Sequence, residues 1–327
     1  MCTAITYHTK DHYFGRNLDY EVSFGERVVT TPRNYVWKYK CASAPKCKYA
    51  MIGMALVEDG YPLYFDAMNE KGLAMAGLHF VGNAFYENAT GDKNGGNEHD
   101  VAPYELIPLV LSQCNSVEQA REILSKVRLV AISFNDRLAL SPLHFMIADK
   151  KDSIVVEPVK EGLKVYENPI GVMTNNPPFP YHLANLNNYM NVTPYVPQNR
   201  FSAEFPLEIY SRGMGAIGLP GDFSSMSRFV RAAFVRANSV SGNTEAESVS
   251  QFFHILGSVE QIRGCVRLEN DMYEITTYSC CCNLDKCIYY YRTYDDSRVR
   301  FIDMNDVDLE GRNPVVSEAV NERCVTF

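Results

Sequence analysis

The chain has 327 residues, enough for about two domains at the usual 100–200 residues each or for one large layered domain. Hydrophobic residues make up 46% and charged residues 21%, the balance of a globular chain, which excludes disordered, collagen-like and coiled-coil architectures. Thirty-one Lys and Arg against 39 Asp and Glu leave a net charge of -8 with no basic run, which argues against nucleic acid as the main partner.

The first 80 residues read as strands. Cys2 to His8 and Tyr13 to Asn17 flank a polar turn at Lys10-Asp11 and predict an opening hairpin. Met51 to Val57, Leu63 to Phe65 and Leu73 to Phe80 follow, punctuated by Asp59-Gly60 and Lys71-Gly72. Ser116 with Gln119 makes a capping-box pattern, and Val117, Ala120, Ile123, Leu124 and Val127 then recur at helical spacing. Strand patterns return at His144 to Ala148, Ser153 to Glu157 and Leu163 to Tyr166, the first two joined by Asp149-Lys150-Lys151-Asp152. A helix is predicted from Ser227 to about Ala237, and another from Thr244, where Glu247 completes a capping box. Strands near Tyr273 to Cys280 and Cys287 to Tyr291 come last.

This order of strands, helices, strands, helices and strands fits an α+β layered architecture with helices covering packed sheets. No repeat, linker or composition shift marks a boundary, so a single domain over residues 1–327 is expected. The least regular stretch, Pro177 to Phe223, is too long for a simple connection and is expected to serve assembly or substrate binding.

Apolar runs such as Ile52 to Val57 and Leu106 to Leu111 fall far short of the roughly 20 residues of a membrane helix, so no membrane partner is expected. The N-terminus carries neither a basic nor an apolar leader region, which points to the cytoplasm. There thiols stay reduced, and the 10 cysteines read mostly as buried small hydrophobes. Cys280, Cys281, Cys282 and Cys287 lack paired C-x-x-C spacing, so no metal is assigned. The common nucleotide and hydrolase motifs are absent, and Gly213-Met214-Gly215 with Gly218 sits in a Pro/Gly loop and reads as a turn.

Cys2 stands out. Removal of Met1, which a small second side chain favours, would leave one residue carrying both a thiol and a free α-amine. An α-amine near pKa ~7.7–8.0 can accept a proton from a thiol near ~8.5, which makes a self-contained nucleophile and base. A cysteine simply buried in the first strand is the alternative. Arg16 and Asp19 lie on the partner strand of the predicted hairpin. A guanidinium beside sulfur favours thiolate, and a carboxylate can orient the amine. Residues three apart on a strand face opposite ways, so both reaching Cys2 requires a turn or bulge near Asn17-Leu18; otherwise they form an ordinary surface pair.

Cys2-Thr3, Phe14-Gly15-Arg16-Asn17-Leu18-Asp19, Asn69-Glu70-Lys71-Gly72-Leu73, Thr174-Asn175, Leu219-Pro220-Gly221-Asp222-Phe223, Ser227-Arg228 and Tyr289-Tyr290-Tyr291 occur in one order along most of the chain. In that order they resemble the choloylglycine hydrolase family. The resemblance implies an N-terminal nucleophile hydrolase with a four-layer αββα sandwich, usually a homotetramer. It also implies cleavage of the amide joining a bile acid to glycine or taurine, without a cofactor. Carried over by motif, Cys2 is the nucleophile, Arg16 and Asp19 position and tune it, Asn175 donates to the oxyanion, and Arg228 supports the charged site. Otherwise Asn175 forms a turn before Pro177-Pro178 and Arg228 is a helix-surface charge.

One position departs from the pattern. Bile-salt members of the family usually carry Asn where this chain has His79, and penicillin V acylases Tyr. A backbone N–H supplied to the oxyanion from this position would survive the change, while a packed strand residue without a role is the alternative. Among the aromatic residues, Tyr20, Phe24, Tyr64, Phe65 and Phe134 lie in segments resembling the family's pocket loops. Ser211-Arg212-Gly213 resembles the loop tied to glycine preference, where Arg212 could pair with the terminal carboxylate. Penicillin V acylase, or a steroid-binding protein without catalysis, are the other readings, and transfer of the acyl group to another amine is a plausible side activity.

Overall fold

In a computed structural model, which describes residues 1–41, 44–89, 99–317 and 323–325, the polypeptide opens with the hairpin of β1 (Cys2–His8) and β2 (His12–Tyr20). β3 (Arg27–Thr31), β4 (Met51–Glu58), β5 (Tyr61–Asn69) and β6 (Ala74–His79) follow, then the short β7 (Asp100–Val101). Helices α1 (Leu106–Gln113) and α2 (Val117–Leu124) and the short β8 (Arg128–Leu129) precede β9 (Leu143–Ala148), β10 (Ser153–Val159), β11 (Gly162–Glu167) and β12 (Val172–Met173). After α3 (Phe179–Leu186), α4 (Ser225–Asn238) and α5 (Glu245–Gly257) come β13 (Ile275–Asn283), β14 (Ile288–Thr293), β15 (Arg300–Asp303), β16 (Val315–Val316) and β17 (Arg323–Cys324).

Among the described residues the strands form two large antiparallel sheets, ordered β12-β1-β2-β13-β14-β15-β17 and β11-β10-β9-β6-β5-β4-β3-β16, and a separate parallel pair of β7 and β8. Helices α4 and α5 pack on the first sheet, and α1 packs on β5 and β6 of the second. One apolar core runs from Phe229 and Phe252 of those helices through Ile5 and Tyr289 to Met54 and Met146 of the facing sheet. The other joins Phe145 and Ile147 to Leu106, Leu111 and Val117. The α+β expectation is therefore met as helix, sheet, sheet and helix layers, the central strands of each sheet buried on both faces. Gly15 lets β2 approach β13: a Cβ there would lie 2.0 Å from the Cys280 carbonyl oxygen.

Local signals place the caps. Ser116 accepts from the Gln119 N–H, and Thr244 with Glu247 forms a reciprocal capping box. The Asp149 side chain ties the β9–β10 turn to the α2 N-terminus by accepting from the Val117 N–H at 2.7 Å. Other elements depart from the sequence reading. Leu106–Gln113 is helical although its apolar run carries no helical period, because it is buried nearly all round. Pro177 to Phe223 is not wholly irregular, since α3 begins within it at Phe179, with Pro180 in the first turn where the missing N–H is harmless. No helix among the described residues is long and apolar enough to cross a membrane.

Candidate active site

β1 lies between β12 and β2, so Cys2 is buried at 3% exposure. The β1–β2 register runs unbroken from Cys2↔Leu18 to His8↔His12, which places the Cys2 sulfur on the face shared by Leu18 and Arg16. Arg16 Nη2 donates to Cys2 Sγ at 2.6 Å. The rest of the fully buried guanidinium donates to the carbonyls of Gly77 at 2.6 Å, Phe65 at 3.2 Å and Asn17 at 3.3 Å. Pairing of β5 with β6 ends at Asp66↔Ala76, and this leaves the Phe65 and Gly77 carbonyls open to the arginine. Burial works against the Arg16 charge, but Cys2, Tyr278, Asp66 and Cys280 hold it above its ordinary value.

Asp19 lies on the opposite face of β2. Its Oδ1 accepts from the Thr276 hydroxyl at 2.6 Å, and its buried Oδ2 accepts no hydrogen bond among the described residues and lies 3.8 Å from Arg228 Nη1. The bulge expected near Asn17-Leu18 is not there; the register shift lies between Thr276 and Tyr278 of β13. Cys2 is reached from both faces because its sulfur belongs to one and its nitrogen to the strand backbone. The Met1 amine meets the Asp19 carbonyl at 2.8 Å and the Glu274 carboxylate. Burial lowers the pKa of that amine, against the pull of Cys2 and Asp19.

Asn175 joins the two sides. Its Oδ1 accepts from the Cys2 N–H and from Arg228 Nη2, each at 2.8 Å, and its Nδ2 donates to the His79 carbonyl at 2.8 Å. One Nδ2 hydrogen is left over. Arg228, fully buried on α4, also donates to the Cys2 carbonyl at 2.5 Å and the Thr3 hydroxyl at 2.6 Å. It is a clamp on β1 and not a helix-surface charge. Ser224 caps α4, and Asp222 accepts from the Ser224 N–H at 2.9 Å and the Ser227 hydroxyl at 2.5 Å. These bonds hold the Asp222 carboxyl down at about 2.

The Phe80 N–H donates to the Pro142 carbonyl at 2.8 Å, so strand alternation turns the neighbouring His79 N–H away from β9. It points to the side from which β5 has withdrawn. The His79 ring stands edge-on to Tyr20 with centroids 5.6 Å apart. Burial, then the terminal amine, Arg16 and His144, push its pKa down to about 4, so it is neutral near pH 7.

A cavity of about 330 Å³ opens over Cys2 and Arg16, and Tyr20, Phe24, Tyr64, Phe65 and Phe134 all line it. Phe24 packs between Tyr20 and Phe65 with its ring tilted to both, centroids 4.7 and 5.5 Å away. The Tyr64 hydroxyl is engaged with Thr31 at 2.8 Å, so that residue offers its ring. Arg212 is not brought to the cavity: residues 203–213 are all exposed, and no helix or strand returns them to Cys2 within one chain.

Several residues escaped the sequence reading. Leu56, Ile107, Ile132 and Leu140 line the cavity but look like any core positions in a sequence. His182 Nε2 bonds the Asn175 carbonyl at 3.0 Å, and His144 Nε2 the Thr174 carbonyl at 2.9 Å, so both histidines hold the Asn175 backbone from behind. His144 is itself paired with Glu157 at 3.2 Å. No spacing signal reveals them, since these contacts join segments far apart in the chain.

The family model for linear amide C–N hydrolases of the choloylglycine hydrolase family matches residues 2–317. A bile salt hydrolase/transferase of Lactiplantibacillus plantarum is 53% identical over 310 residues, covering 95% of this chain and 94% of its own. A crystal structure of a mutant conjugated bile acid hydrolase from Clostridium perfringens superposes with a TM-score of 0.88 at 36% identity, covering 97% of each chain. Penicillin V acylase from Agrobacterium tumefaciens shares the fold, with a TM-score of 0.73 at 21% identity over 96% of this chain and 90% of its own. With a buried cysteine at the start of β1 paired to an arginine of β2 and a family match over nearly its whole length, this chain belongs to the choloylglycine hydrolase family of linear amide C–N hydrolases.

Proposed function

We propose that this protein hydrolyses conjugated bile salts at the amide joining the bile acid to glycine or taurine. The observation that carries the reading is the Arg16 guanidinium 2.6 Å from Cys2 Sγ on the floor of an aromatic-walled cavity. An apolar steroid fits such walls, while the amide reaches the sulfur.

In this mechanism Met1 is removed and Cys2 becomes the terminal residue. Its amine takes the thiol proton, Asp19 with its unfilled Oδ2 orients that amine, and the sulfur attacks the amide carbon. The oxyanion is met by the spare Asn175 Nδ2 hydrogen and the His79 backbone N–H, of which a single donor contributes roughly 3 kcal/mol. The protonated amine then delivers its proton to the departing glycine or taurine nitrogen. Water cleaves the thioester and releases the bile acid, and a second amine in place of water would give acyl transfer.

Copies of the chain assemble as a homotetramer through the segment after α3. Support comes from its exposed Met190, Tyr195, Phe201 and Tyr210, at 75, 78, 80 and 82% exposure, since so much apolar surface on one segment marks an interaction site. Arg212 on that segment then reads the conjugate carboxylate of a neighbouring copy. The reaction takes place in the cytoplasm, in keeping with all ten cysteines being free thiols.

The test is hydrolysis of glycocholate and penicillin V by purified protein whose loss of Met1 has been verified by intact mass. Faster turnover of glycocholate is expected, and a strong preference for penicillin V rejects the reading.

A further inference from the structure

The residue after Phe65, whose carbonyl Arg16 bonds at 3.2 Å, is a second acidic group. Asp66, on β5, is fully buried between the sheets. Three side chains from the opposite sheet converge on its carboxylate. The Tyr278 hydroxyl donates to Oδ2, the Tyr289 hydroxyl to Oδ1 at 2.7 Å, and the Cys280 thiol to Oδ1 at 3.3 Å. Burial raises all three of these groups well above their ordinary values, so they keep their protons and act as donors. Burial also pushes the Asp66 carboxyl up, while Arg16, Tyr278, Tyr289 and Cys280 act to hold it ionised.

The other charged groups near Cys2 are engaged elsewhere. Asp19 and Arg228 face each other at 3.8 Å on the helix side of the first sheet, together with the terminal amine and Glu274. Tyr20 and His79 border the cavity. Between the sheets, besides the protonated Tyr278 and Cys280, two groups that can carry negative charge act on Arg16: Cys2, which it contacts, and Asp66, which acts through space without a direct ion pair. In the hydrolytic cycle the sulfur becomes a thioester with no charge. A guanidinium sealed in the interior would then have no anionic partner, a strongly unfavourable state.

We propose that Asp66 is the resident counter-ion of Arg16, a positioning residue that keeps the guanidinium charged and in place while Cys2 is acylated and that moderates its field on the sulfur. The Tyr278, Tyr289 and Cys280 donors fix the carboxylate so that it does not move to displace the sulfur. The Phe65 carbonyl, one residue away on β5, ties Arg16 to the same strand.

This inference rests on the proposed role of Cys2 as nucleophile, so both of its tests are read without substrate. Failure to turn over any acyl amide would overturn that role and leave these tests standing. First, alkylation of Cys2 by iodoacetamide is followed against pH by peptide mass in the wild type and in Asp66→Asn. With the competing anion gone, the midpoint of the profile is expected to move down by about one pH unit. A midpoint that stays or rises overturns the proposal. Second, melting temperatures are compared for Asp66→Asn, Arg16→Leu and the double variant, a comparison that stands even if Asp66→Asn alone folds poorly. The double variant is expected to melt above Asp66→Asn, because it leaves no unpaired interior charge. Additive losses overturn the proposal.

Discussion

The Asn175 side-chain oxygen accepts both the Cys2 N–H and an Arg228 guanidinium N–H, each at 2.8 Å. A group from the loop before α3 and another from α4 thus fix the nitrogen end of Cys2, while Arg16 on β2 fixes the sulfur end. Because the anchors come from different layers, the site depends on the sandwich being closed.

Replacing Asn175 with Ala removes the proposed oxyanion donor together with the acceptor for Arg228 and Cys2. The kcat for glycocholate is expected to fall about 100- to 1,000-fold. Steady-state kinetics beside a thermal melt check this, and a retained kcat assigns the donor elsewhere.

Asp222 lies just before the α4 cap and touches no reacting atom. Asp222→Ala is expected to destabilise the protein by about 1 kcal/mol by removing the acceptor that holds Ser224 and Ser227 in the cap turn. By loosening the first turn, which carries Arg228, it should also lower kcat more than it changes KM. Urea unfolding and kinetics at neutral pH separate the two effects.

Burial pushes His79 and His182 from an ordinary 6.5 to about 4. Between those values the unfolded chain binds more protons than the folded one. The stability from keeping these rings neutral is therefore present above about pH 6.5 and lost as pH falls toward 4. For His182, at 2% exposure, the loss is at most about 3 kcal/mol. Urea midpoints between pH 7 and 4.5 should decline in the wild type and decline less steeply in His182→Gln.

Phe24 contributes a ring to the cavity wall and touches neither sulfur nor oxyanion donors. Phe24→Ala is expected to raise KM for glycocholate severalfold with a smaller change in kcat, since the lost contact serves ground state and transition state alike. Comparable loss in kcat would give the ring a part in the chemical step.

Gly15→Ala forces a Cβ toward the Cys280 carbonyl oxygen, to 2.0 Å without relaxation. Backbone on a central strand pair yields poorly, so a loss of about 3 kcal/mol or more is expected. A melt within a degree of wild type would mean that β2 and β13 separate easily.

Much of this protein is local and therefore legible in the linear chain. The β1–β2 hairpin follows from apolar runs around Lys10-Asp11, α5 from the Thr244–Glu247 box, and Cys2, Arg16, Asn175 and Arg228 from short motifs. Leu106–Gln113 was not legible, because a helix buried on nearly all sides has no polar face to set its period. The Arg212 segment shows no path to the cavity within one chain.

Sequence alone singled out Cys2, Arg16 and Arg228 as candidate site residues together with the strand or helix carrying each, since those signals depend on neighbours a few positions away. Only the tertiary structure decided that Cys2 is served from two faces, that Arg228 clamps β1, and that Asp66 meets Tyr278, Cys280 and Tyr289 across the sheets. Those relationships join residues up to more than 200 positions apart, and side-chain chemistry cannot indicate them until two sheets pack face to face and bury the charges together.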